Sequence, residues 1–510
     1  MEEPPPDTSL EIANKPLNED PPSETEKKAT KKLVSFLKKE NAYEPEEKLQ
    51  HRYDVLKEIQ ELGNQFVREV YITIDGADPE KVNEVFSKIF YFGSLYLQVT
   101  NPSSDIDVLL VCPRYITRQH FFDQFYSKFT NNPKVNDLMK IDGAKVPIIN
   151  MIYDGIELDI SYCFIDRETI DPEINLLEDR YLAHTDLTSV MSLNGPRTNM
   201  LLVKLIPSPT LEPFQTLLRF IRIWAKARAV YGNRYGYLGG VNMALLSAFI
   251  VQRYPTASPS LLIYLFFQDL ADYPWPKPIY INHPNKGIWK SWDPQNPKDQ
   301  YDLMPIITPS YPTINSLKSV ILSTKARLLD EFARGAKLAK KCIFEGKKWS
   351  KIIEPTDFFL KYRQYLQIEI SAGTRDGFNS WSGNFDAQLR SLSQELEKVE
   401  LIEYAFPYPH LFEISPEKPN DRYSGYLFIG LTYYKTEEKK AIDISNVLEE
   451  FIARVYQLKK TKPDYKMSLK LLKRKDVPVF VFKDGVRPEK VLSKKTHPKK
   501  LPSSPNEEEN

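Results

Sequence analysis

Apolar positions recur at different spacings along the chain, and these spacings predict its first structural elements. From Lys31 to about Arg68, apolar residues lie three or four apart, which predicts one or two amphipathic helices. Ile106–Val111 is a continuous apolar run typical of a buried strand, and His120–Phe129 predicts an aromatic-rich helix. Residues 1–28 are rich in Pro, Glu and Ser, so we predict a disordered acidic tail there.

A β-hairpin is predicted near the end of the first third of the chain. Two apolar runs, Val146–Ile152 and Ile156–Tyr162, are separated by an Asp-Gly dipeptide. That dipeptide is favoured in type I′ turns, which join antiparallel strands. Alternation along the second run places Glu157 and Asp159 on one face and the apolar side chains on the other.

The rest of the chain changes from helical spacing to a mixed pattern. The predicted helices are Thr216–Tyr231, Val241–Val251 and Ser316–Ala339, with Pro-rich loops at 274–278 and 304–312. A strand, helix, strand, helix, strand order follows over Phe358–Ile370, Phe385–Val399, Tyr426–Tyr434, Val447–Leu458 and Lys466–Lys475. This order indicates a compact α+β module.

Composition and charge narrow the class of protein. A length of 510 residues suggests about three domains. Net charge is +1, but residues 451–510 carry sixteen Lys and Arg against seven acids, which favours a nucleic-acid or targeting role for that end. The three cysteines lie far apart, so we expect a reducing compartment rather than a disulfide framework. Without a signal peptide or a long apolar run, we predict no membrane association.

The candidate chemistry lies around the predicted Ile106–Val111 strand. Asp105 and Asp107 share one strand face, and a divalent cation would relieve their repulsion. Gly93 permits close backbone approach, and Ser94 offers a hydroxyl to a phosphate. An Asp-x-Asp pair alone is a weak signal, but Asp159 supplies a third acid about fifty residues on. Three such carboxylates can hold two cations, which is the nucleotidyltransferase arrangement.

With these residues, the chain resembles the nuclear-type eukaryotic poly(A) polymerases, members of the DNA polymerase beta-like nucleotidyltransferase superfamily. The similar segments are FGS at 92–94, SDIDVLLVCPR at 104–114, VPIINMIYDGIELDIS at 146–161, SLNGPR at 192–197, AVYGNRYGYLGGV at 229–241, MPIITPSYP at 304–312 and FIGL at 428–431. They follow the family's order over about residues 30–490.

This resemblance implies an α+β fold with three domains. The implied parts are N-terminal helices at 29–60 packing on the middle domain, an α/β nucleotidyltransferase catalytic domain at 61–190, a helical middle domain at 191–352, an RRM-like RNA-binding domain at 353–490 and a disordered tail at 491–510. The implied activity is template-independent addition of AMP from ATP to the 3′ end of RNA, with Mg²⁺ or Mn²⁺ and release of pyrophosphate. The implied setting is mRNA polyadenylation in the nucleus by a monomer working with the cleavage and polyadenylation machinery.

Motif positions also imply roles for single residues. Asp105 and Asp107 would bind both metals, and Asp159 would bind the metal that activates the primer 3′-OH. Gly93 and Ser94 would hold the triphosphate. The implied nucleotide-binding set is Phe92, Gly93, Ser94, Asn150, Arg222, Tyr231, Asn233, Gly240 and Val241.

Three residues depart from the family pattern. Lys145 replaces an aromatic residue, and Asn150 and Arg222 each replace a Lys. Arg222 keeps the charge, and Lys145 restores near Asn150 the charge that Asn150 loses. We expect activity to survive, with nucleotide affinity and base choice affected. The alternatives left open are another terminal nucleotidyltransferase, such as a uridylyltransferase or an oligoadenylate synthetase, a non-catalytic RNA-binding relative, and a cytoplasmic location.

Overall fold

The computed structural model describes residues 16–282, 287–418, 421–435, 442–457 and 462–488. The predicted tail at 491–510 and the first fifteen residues of the predicted acidic tail lie outside this description. Across the described ranges, no helix has the length and apolar character needed to cross a membrane.

The predicted disorder through residue 28 is wrong at its end, because helix α1 spans Glu24–Lys39. Ser23 starts it: its hydroxyl accepts from the backbone N–H of Glu26, while the Glu26 carboxylate accepts from the Ser23 N–H at 2.9 Å. This reciprocal cap satisfies two donors that a helix start otherwise leaves free. The helix then buries Leu33 and Leu37.

The two predicted N-terminal helices pack on different parts of the molecule. Helix α1 joins the core of the helical region, where the indole of Trp349 donates to the carbonyl of Ala29 at 3.3 Å. Helix α2, Glu46–Tyr71, instead buries Ile59 and Phe66 against the first β-sheet. The prediction that all of 29–60 packs on the middle domain is therefore wrong for α2. The apolar side of this amphipathic helix packs on the first sheet instead.

A five-stranded sheet forms the first part of the molecule. Its strands are β1 Lys88–Phe92, β2 Ile106–Cys112, β3 Val135–Ile141, β4 Ile148–Tyr153 and β5 Ile156–Phe164, in the spatial order β1-β2-β5-β4-β3. Only β2 and β5 pair in parallel among these strands. Alternate residues of β2 enter two separate cores, Val108 with Leu110 on one face and Leu109 with Val111 on the other. Burial on both faces explains its continuous apolar run.

The predicted hairpin and aromatic helix are both confirmed. Asp154 and Gly155 have φ angles of 49° and 79°, as a type I′ turn requires, and join β4 to β5. The aromatic segment is helical over 118–130, with a wider π-helical turn at Phe121–Phe125. Its rings pack beside the sheet, as Phe121 stacks on Tyr162 with centroids 5.3 Å apart.

Helices form the second part of the molecule. They are α4 Leu187–Leu205, α5 Leu211–Ala227, α6 Gly240–Arg253, α7 Pro259–Asp272 and α8 Leu322–Phe344. The four-residue helix α3, Gly93–Tyr96, lies in the first part of the molecule, between β1 and β2. Trp224 is central, with Phe267 and Phe332 4.9 and 5.7 Å away between ring centroids.

Two of the predicted helices in this part have shifted bounds. Helix α5 ends before Tyr231, because Ala229 takes a left-handed φ of 53°. Helix α8 begins six residues later than predicted. The Ser316 N–H is already bonded to the Ile306 carbonyl at 2.9 Å, which ties that segment to a loop instead.

The third part is an antiparallel sheet with two helices. Its strands are β6 Gln364–Ala372, β7 Ile402–Pro407, β8 Phe412–Ile414, β9 Tyr423–Tyr433 and β10 Lys466–Lys473, ordered β10-β6-β9-β7 with β8 also on β9, and its helices are α9 Arg375–Leu396 and α10 Ser445–Tyr456. The strand predicted from Phe358 is wrong at its start. Phe358–Lys361 is a short helix whose Phe358 and Phe359 rings pack against Tyr408, each with centroids 4.8 Å apart.

Candidate active site

The three predicted acids meet at the edge of the first sheet. In the parallel pair β2–β5, Asp107 lies directly opposite Asp159, and Asp105 precedes β2 by one residue. One oxygen from each carboxylate lies within 4.8 Å of the others, and all three residues are half-buried. A cluster this tight can hold a metal ion, since hard oxygen ligands suit divalent cations.

The electrostatics of these acids fit a cation. Burial, followed by the charges of Asp105 and Asp159, raises the pKa of Asp107 to about 8. Burial also raises the pKa of Asp159, although the hydrogen bond from Asn150 acts in the opposite direction and lowers that pKa. A bound cation would favour the charged forms that burial and mutual repulsion disfavour.

Gly93 and Asp107 occupy the same small space. Gly93 has a φ of 67°, and a Cβ built on it would lie 2.2 Å from Oδ2 of Asp107. The Gly93 N–H donates to the Asn199 side chain at 2.9 Å, which anchors the start of α3 to α4. Only glycine fits here, because a side chain would displace the carboxylate.

Ser94 follows with a hydroxyl that fits an anionic ligand. Its Oγ is buried and has no hydrogen-bond partner in the described part of the chain. Ser94 and Gly93 both line the cavity that contains Asp105 and Asp107. Since buried hydroxyls are normally satisfied, this orphan atom suits a phosphate oxygen.

A cavity of about 1000 Å³ opens between the first sheet and the helical part. Most of the predicted site residues border it: Phe92, Gly93, Ser94, Asp105, Asp107, Arg222, Tyr231, Asn233, Gly240 and Val241. Lys145, which differs from the family pattern, also borders it. Asn150 and Asp159 do not border it. Asn150 lies beside Asp159 on β4, and its amide donates to Oδ1 of Asp159 at 2.7 Å. That position suits holding the acid rather than touching a base.

Arg222 is a cation on the helical side of the cavity that interacts with the acids. Its guanidinium is largely buried and donates to the Val99 carbonyl at 2.5 Å. Burial lowers its pKa, while Asp105 and Asp107 act in the opposite direction, and its charge in turn lowers the pKa of Asp107. The Lys226 ammonium lies 5.5 Å from the Tyr231 ring centroid. The basic face of α5 therefore turns partly inward, beside the acids.

Asn233 is held by the protein itself. Its amide donates to the Ser316 carbonyl at 2.9 Å and to the Asn242 side chain at 3.2 Å, and its oxygen accepts from Ser319 at 3.0 Å. Tyr231 and Val241 are more open, with 36% and 37% of their surfaces exposed. Asn233 thus shapes the cavity wall, and Tyr231 and Val241 present free surface to a ligand.

Three family models match the chain in succession. They are described as the poly(A) polymerase nucleotidyltransferase domain at residues 13–206, the poly(A) polymerase central domain at 213–355 and the poly(A) polymerase predicted RNA binding domain at 357–423. The chain belongs to the poly(A) polymerase family. The resemblance and the three-part α+β organisation are confirmed, while the domain limits remain predictions.

Sequence relatives agree with this assignment. A poly(A) polymerase of Dictyostelium discoideum is 33% identical, over 92% of this chain and 59% of that protein. Nuclear poly(A) polymerase 1 of Arabidopsis thaliana is 34% identical, over 93% of this chain and 67% of that protein. The chain thus spans about three fifths to two thirds of these relatives' lengths.

Solved structures show only a distant likeness. A structure of Cid1, described for its RNA terminal uridylyl transferase activity, is 12% identical with a TM-score of 0.44, over 65% of this chain and 99% of that one. A structure of mtPAP in complex with GTP is 13% identical with a TM-score of 0.43, over 69% and 75%. The family assignment rests on the sequence relatives.

Several residues of the site escaped the sequence analysis. Asn199 holds Gly93, and Gly195 packs so closely on Phe92 that a Cβ would lie 3.0 Å from its ring. Both lie in α4, which was not predicted because Gly195 and Pro196 inside it suggest a turn. The SLNGPR motif at 192–197 was the available signal, since it lies in this helix.

Proposed function

We propose that this chain is a template-independent polymerase that adds AMP from ATP to the 3′ end of RNA. The observation that carries the proposal is the cluster of Asp105, Asp107 and Asp159, of which Asp105 and Asp107 border a large cavity, in a chain of this family. The reaction joins the primer 3′ oxygen to the α-phosphorus of ATP and breaks the bond to the β-phosphate oxygen. Pyrophosphate and the hydroxyl proton leave.

The three acids would hold two divalent cations, Mg²⁺ or Mn²⁺. Such cations polarise the attacking hydroxyl and stabilise the charge of the departing pyrophosphate. Asn150 orients Asp159 through its 2.7 Å hydrogen bond, and Arg222 adds positive charge beside Asp105 and Asp107. These contacts prepare the site electrostatically before substrates bind.

The same cavity has surfaces for the nucleotide. Ser94 would donate its unpartnered hydroxyl to the triphosphate. Tyr231 and Val241 would pack against the adenine, because both are exposed on the cavity wall. The backbone of Gly240 borders the cavity at the start of α6, where an N–H is free of helical bonding.

We also place the activity in nuclear mRNA polyadenylation. The support is the nuclear relative of Arabidopsis thaliana and the match to a predicted RNA binding domain at 357–423. The chain would act as a monomer alongside the cleavage and polyadenylation machinery.

The test is extension of a labelled RNA primer with each of the four nucleoside triphosphates and Mg²⁺ or Mn²⁺. We expect ATP to be incorporated preferentially, and Asp107→Ala to lower the rate about 1000-fold, since metal stabilisation contributes several kcal/mol. Asp75→Ala, at an exposed position, is the matched control.

Other outcomes would point elsewhere. A preference for UTP would indicate a terminal uridylyltransferase, and 2′-linked products an oligoadenylate synthetase. RNA binding without incorporation of any nucleotide would indicate a non-catalytic relative. Full activity of Asp107→Ala would contradict the proposed site.

A further inference from the structure

We propose that Arg390, a residue of the third part of the molecule, binds a phosphate group of the substrates inside the active-site cavity. The inference rests on the proposed function in one respect, namely that the cavity receives RNA and a nucleoside triphosphate. The ligand chemistry is a phosphate anion, carried either by the RNA backbone or by ATP.

Arg390 reaches the cavity from a helix that belongs to a different module. Helix α9 buries Phe385, Leu389 and Leu392 in the core of the third part. Arg390 follows Leu389 directly and borders the cavity together with Lys318 and Ser319. The cavity that holds Asp105 and Asp107 is therefore completed by a side chain from the C-terminal sheet domain.

The position of Arg390 is held by contacts between the modules. The Tyr237 hydroxyl donates to the Pro407 carbonyl at 2.9 Å, and the Ala405 N–H donates to the Ser323 hydroxyl at 2.8 Å. The Ser323 N–H in turn donates to the Glu397 carboxylate, on the segment after α9, at 2.7 Å. These bonds hold the end of α9 against α8, and they therefore limit the movement of Arg390 relative to the helical part.

The guanidinium of Arg390 has no partner among the groups that the structure describes. It is half-buried, and none of the side chains or backbone groups that the structure describes gives it a hydrogen bond, ion pair or ring contact. Burial lowers its pKa, because the charged guanidinium has lost part of its contact with water. A partly desolvated charge is costly until it is paired, so this site favours an anionic ligand.

The other cations of the cavity wall are engaged or more open. Arg222 donates to the Val99 carbonyl and faces the catalytic acids. Lys318 is paired with Asp299 at 2.7 Å and lies 3.8 Å from Asp302. Lys145 is exposed to water. Arg390 thus combines partial burial with an unused charge.

An arginine suits this task better than a lysine. Its planar guanidinium can donate two parallel hydrogen bonds to one phosphate, which fixes orientation as well as charge. A phosphate held there would link the C-terminal module to the chemistry at Asp105 and Asp107. Substrate would then stabilise the arrangement of the modules in which the cavity is closed by α9.

The experiment measures equilibrium binding by the full chain, separately for a labelled oligoadenylate and for ATP. It compares wild type with Arg390→Met, which keeps the aliphatic stem, and with Arg390→Lys. We expect Arg390→Met to lower the affinity for one of the two ligands about tenfold, because a hydrogen bond from a charged group is lost. Arg390→Lys should recover part of that affinity. Weaker RNA binding with a salt slope reduced by about one identifies the RNA backbone, and weaker ATP binding identifies the triphosphate.

Two controls separate binding from folding and from overall charge. Thermal unfolding without ligand should show Arg390→Met at least as stable as wild type, because an unpaired charge is removed. Arg375→Ala, at the other end of α9 and paired with Glu413, should leave both affinities unchanged. Unaltered affinities in Arg390→Met, or an equal loss in Arg375→Ala, would overturn the inference. Binding does not require turnover, so failure here is distinct from a failure to extend RNA.

Discussion

At the scale of single residues, the site is built from very short distances. Gly93 and Asp107 cannot both carry a side chain in their present places, and Asn150 touches the acid opposite Asp107. Such contacts restrict where the carboxylates of Asp107 and Asp159 can lie. Two substitutions test whether that positioning matters.

Gly93→Ala should lower RNA extension about 100-fold, because the new Cβ would displace the Asp107 carboxylate by roughly 1 Å. The matched control is Gly76→Ala, which has a similar φ of 80° but nothing within 4 Å of its Cβ. Both variants should lose about 1 kcal/mol of stability from the left-handed backbone. Primer extension and thermal unfolding measure the two effects, and equal activities would contradict the role of the contact.

Asn150→Ala should weaken binding of Mn²⁺ about tenfold, as is typical when a residue that orients a metal ligand is removed. The physical reason is loss of the 2.7 Å bond that holds Oδ1 of Asp159. Calorimetric titration of the cation in the absence of nucleotide gives the affinity. Asn136→Ala, exposed on the adjacent strand β3, serves as control, and an unchanged affinity at Asn150→Ala would refute the prediction.

At the scale of elements, buried charges join two helices to the linker that leads into the third part. Arg228, after α5, donates twice to Glu331 of α8 at 2.8 Å and to the carbonyls of Glu354 and Pro355 at 2.6 and 2.9 Å. Arg327 lies 3.1 Å from Glu331. Burial alone would raise the pKa of Glu331, but the bond from Arg228 and the nearby arginines lower it.

Glu331→Gln should therefore destabilise the protein by about 3 kcal/mol, because two buried arginines would lose their counter-charge. Denaturant unfolding measures this cost, and limited proteolysis of the linker reports whether it is released. Glu354→Gln is the control, since its pair with Lys351 is exposed and should contribute less than about 0.5 kcal/mol. Equal stabilities for the two variants would contradict this account.

At the scale of the whole molecule, one cavity borders all three parts of the chain. The first part contributes Asp105 and Asp107, the helical part contributes Arg222 and Tyr231, and the C-terminal sheet domain contributes Arg390. Polar bonds such as that from Tyr237 to Pro407 connect the parts. The function we propose therefore depends on how the parts are arranged.

Tyr237→Phe should cost about 1 kcal/mol of stability, because the Pro407 carbonyl would lose its buried donor without a change in packing. The denaturant concentration at which the C-terminal module unfolds, followed by a probe on that module, should decrease most, because this bond joins that module to the helical part. Tyr301→Phe removes a hydroxyl from a side chain that is 79% exposed and should change nothing. Identical unfolding of both variants would show that the bond adds no stability.

Local patterns explain which predictions succeeded. The β4–β5 hairpin follows from its Asp-Gly turn, and the β2 strand from its apolar run, so Asp107 and Asp159 were expected to be close. The helix at Leu187–Leu205 was missed because Gly195 and Pro196 oppose it locally, and packing against Phe92 overrides that preference. Helix α1 begins earlier than predicted because a capping box outweighs a polar composition.

The sequence by itself determined the family, the three acids and the order of most elements, because those depend on residue type and short spacing. Only the tertiary structure decided which side chains share the cavity. It turned Asn150 toward Asp159, held Asn233 in bonds with Ser316 and Ser319, and brought Arg390 beside the cavity. These contacts join residues that are far apart in the chain or on neighbouring strands of a hairpin, and the sequence alone does not give the distances between their side chains.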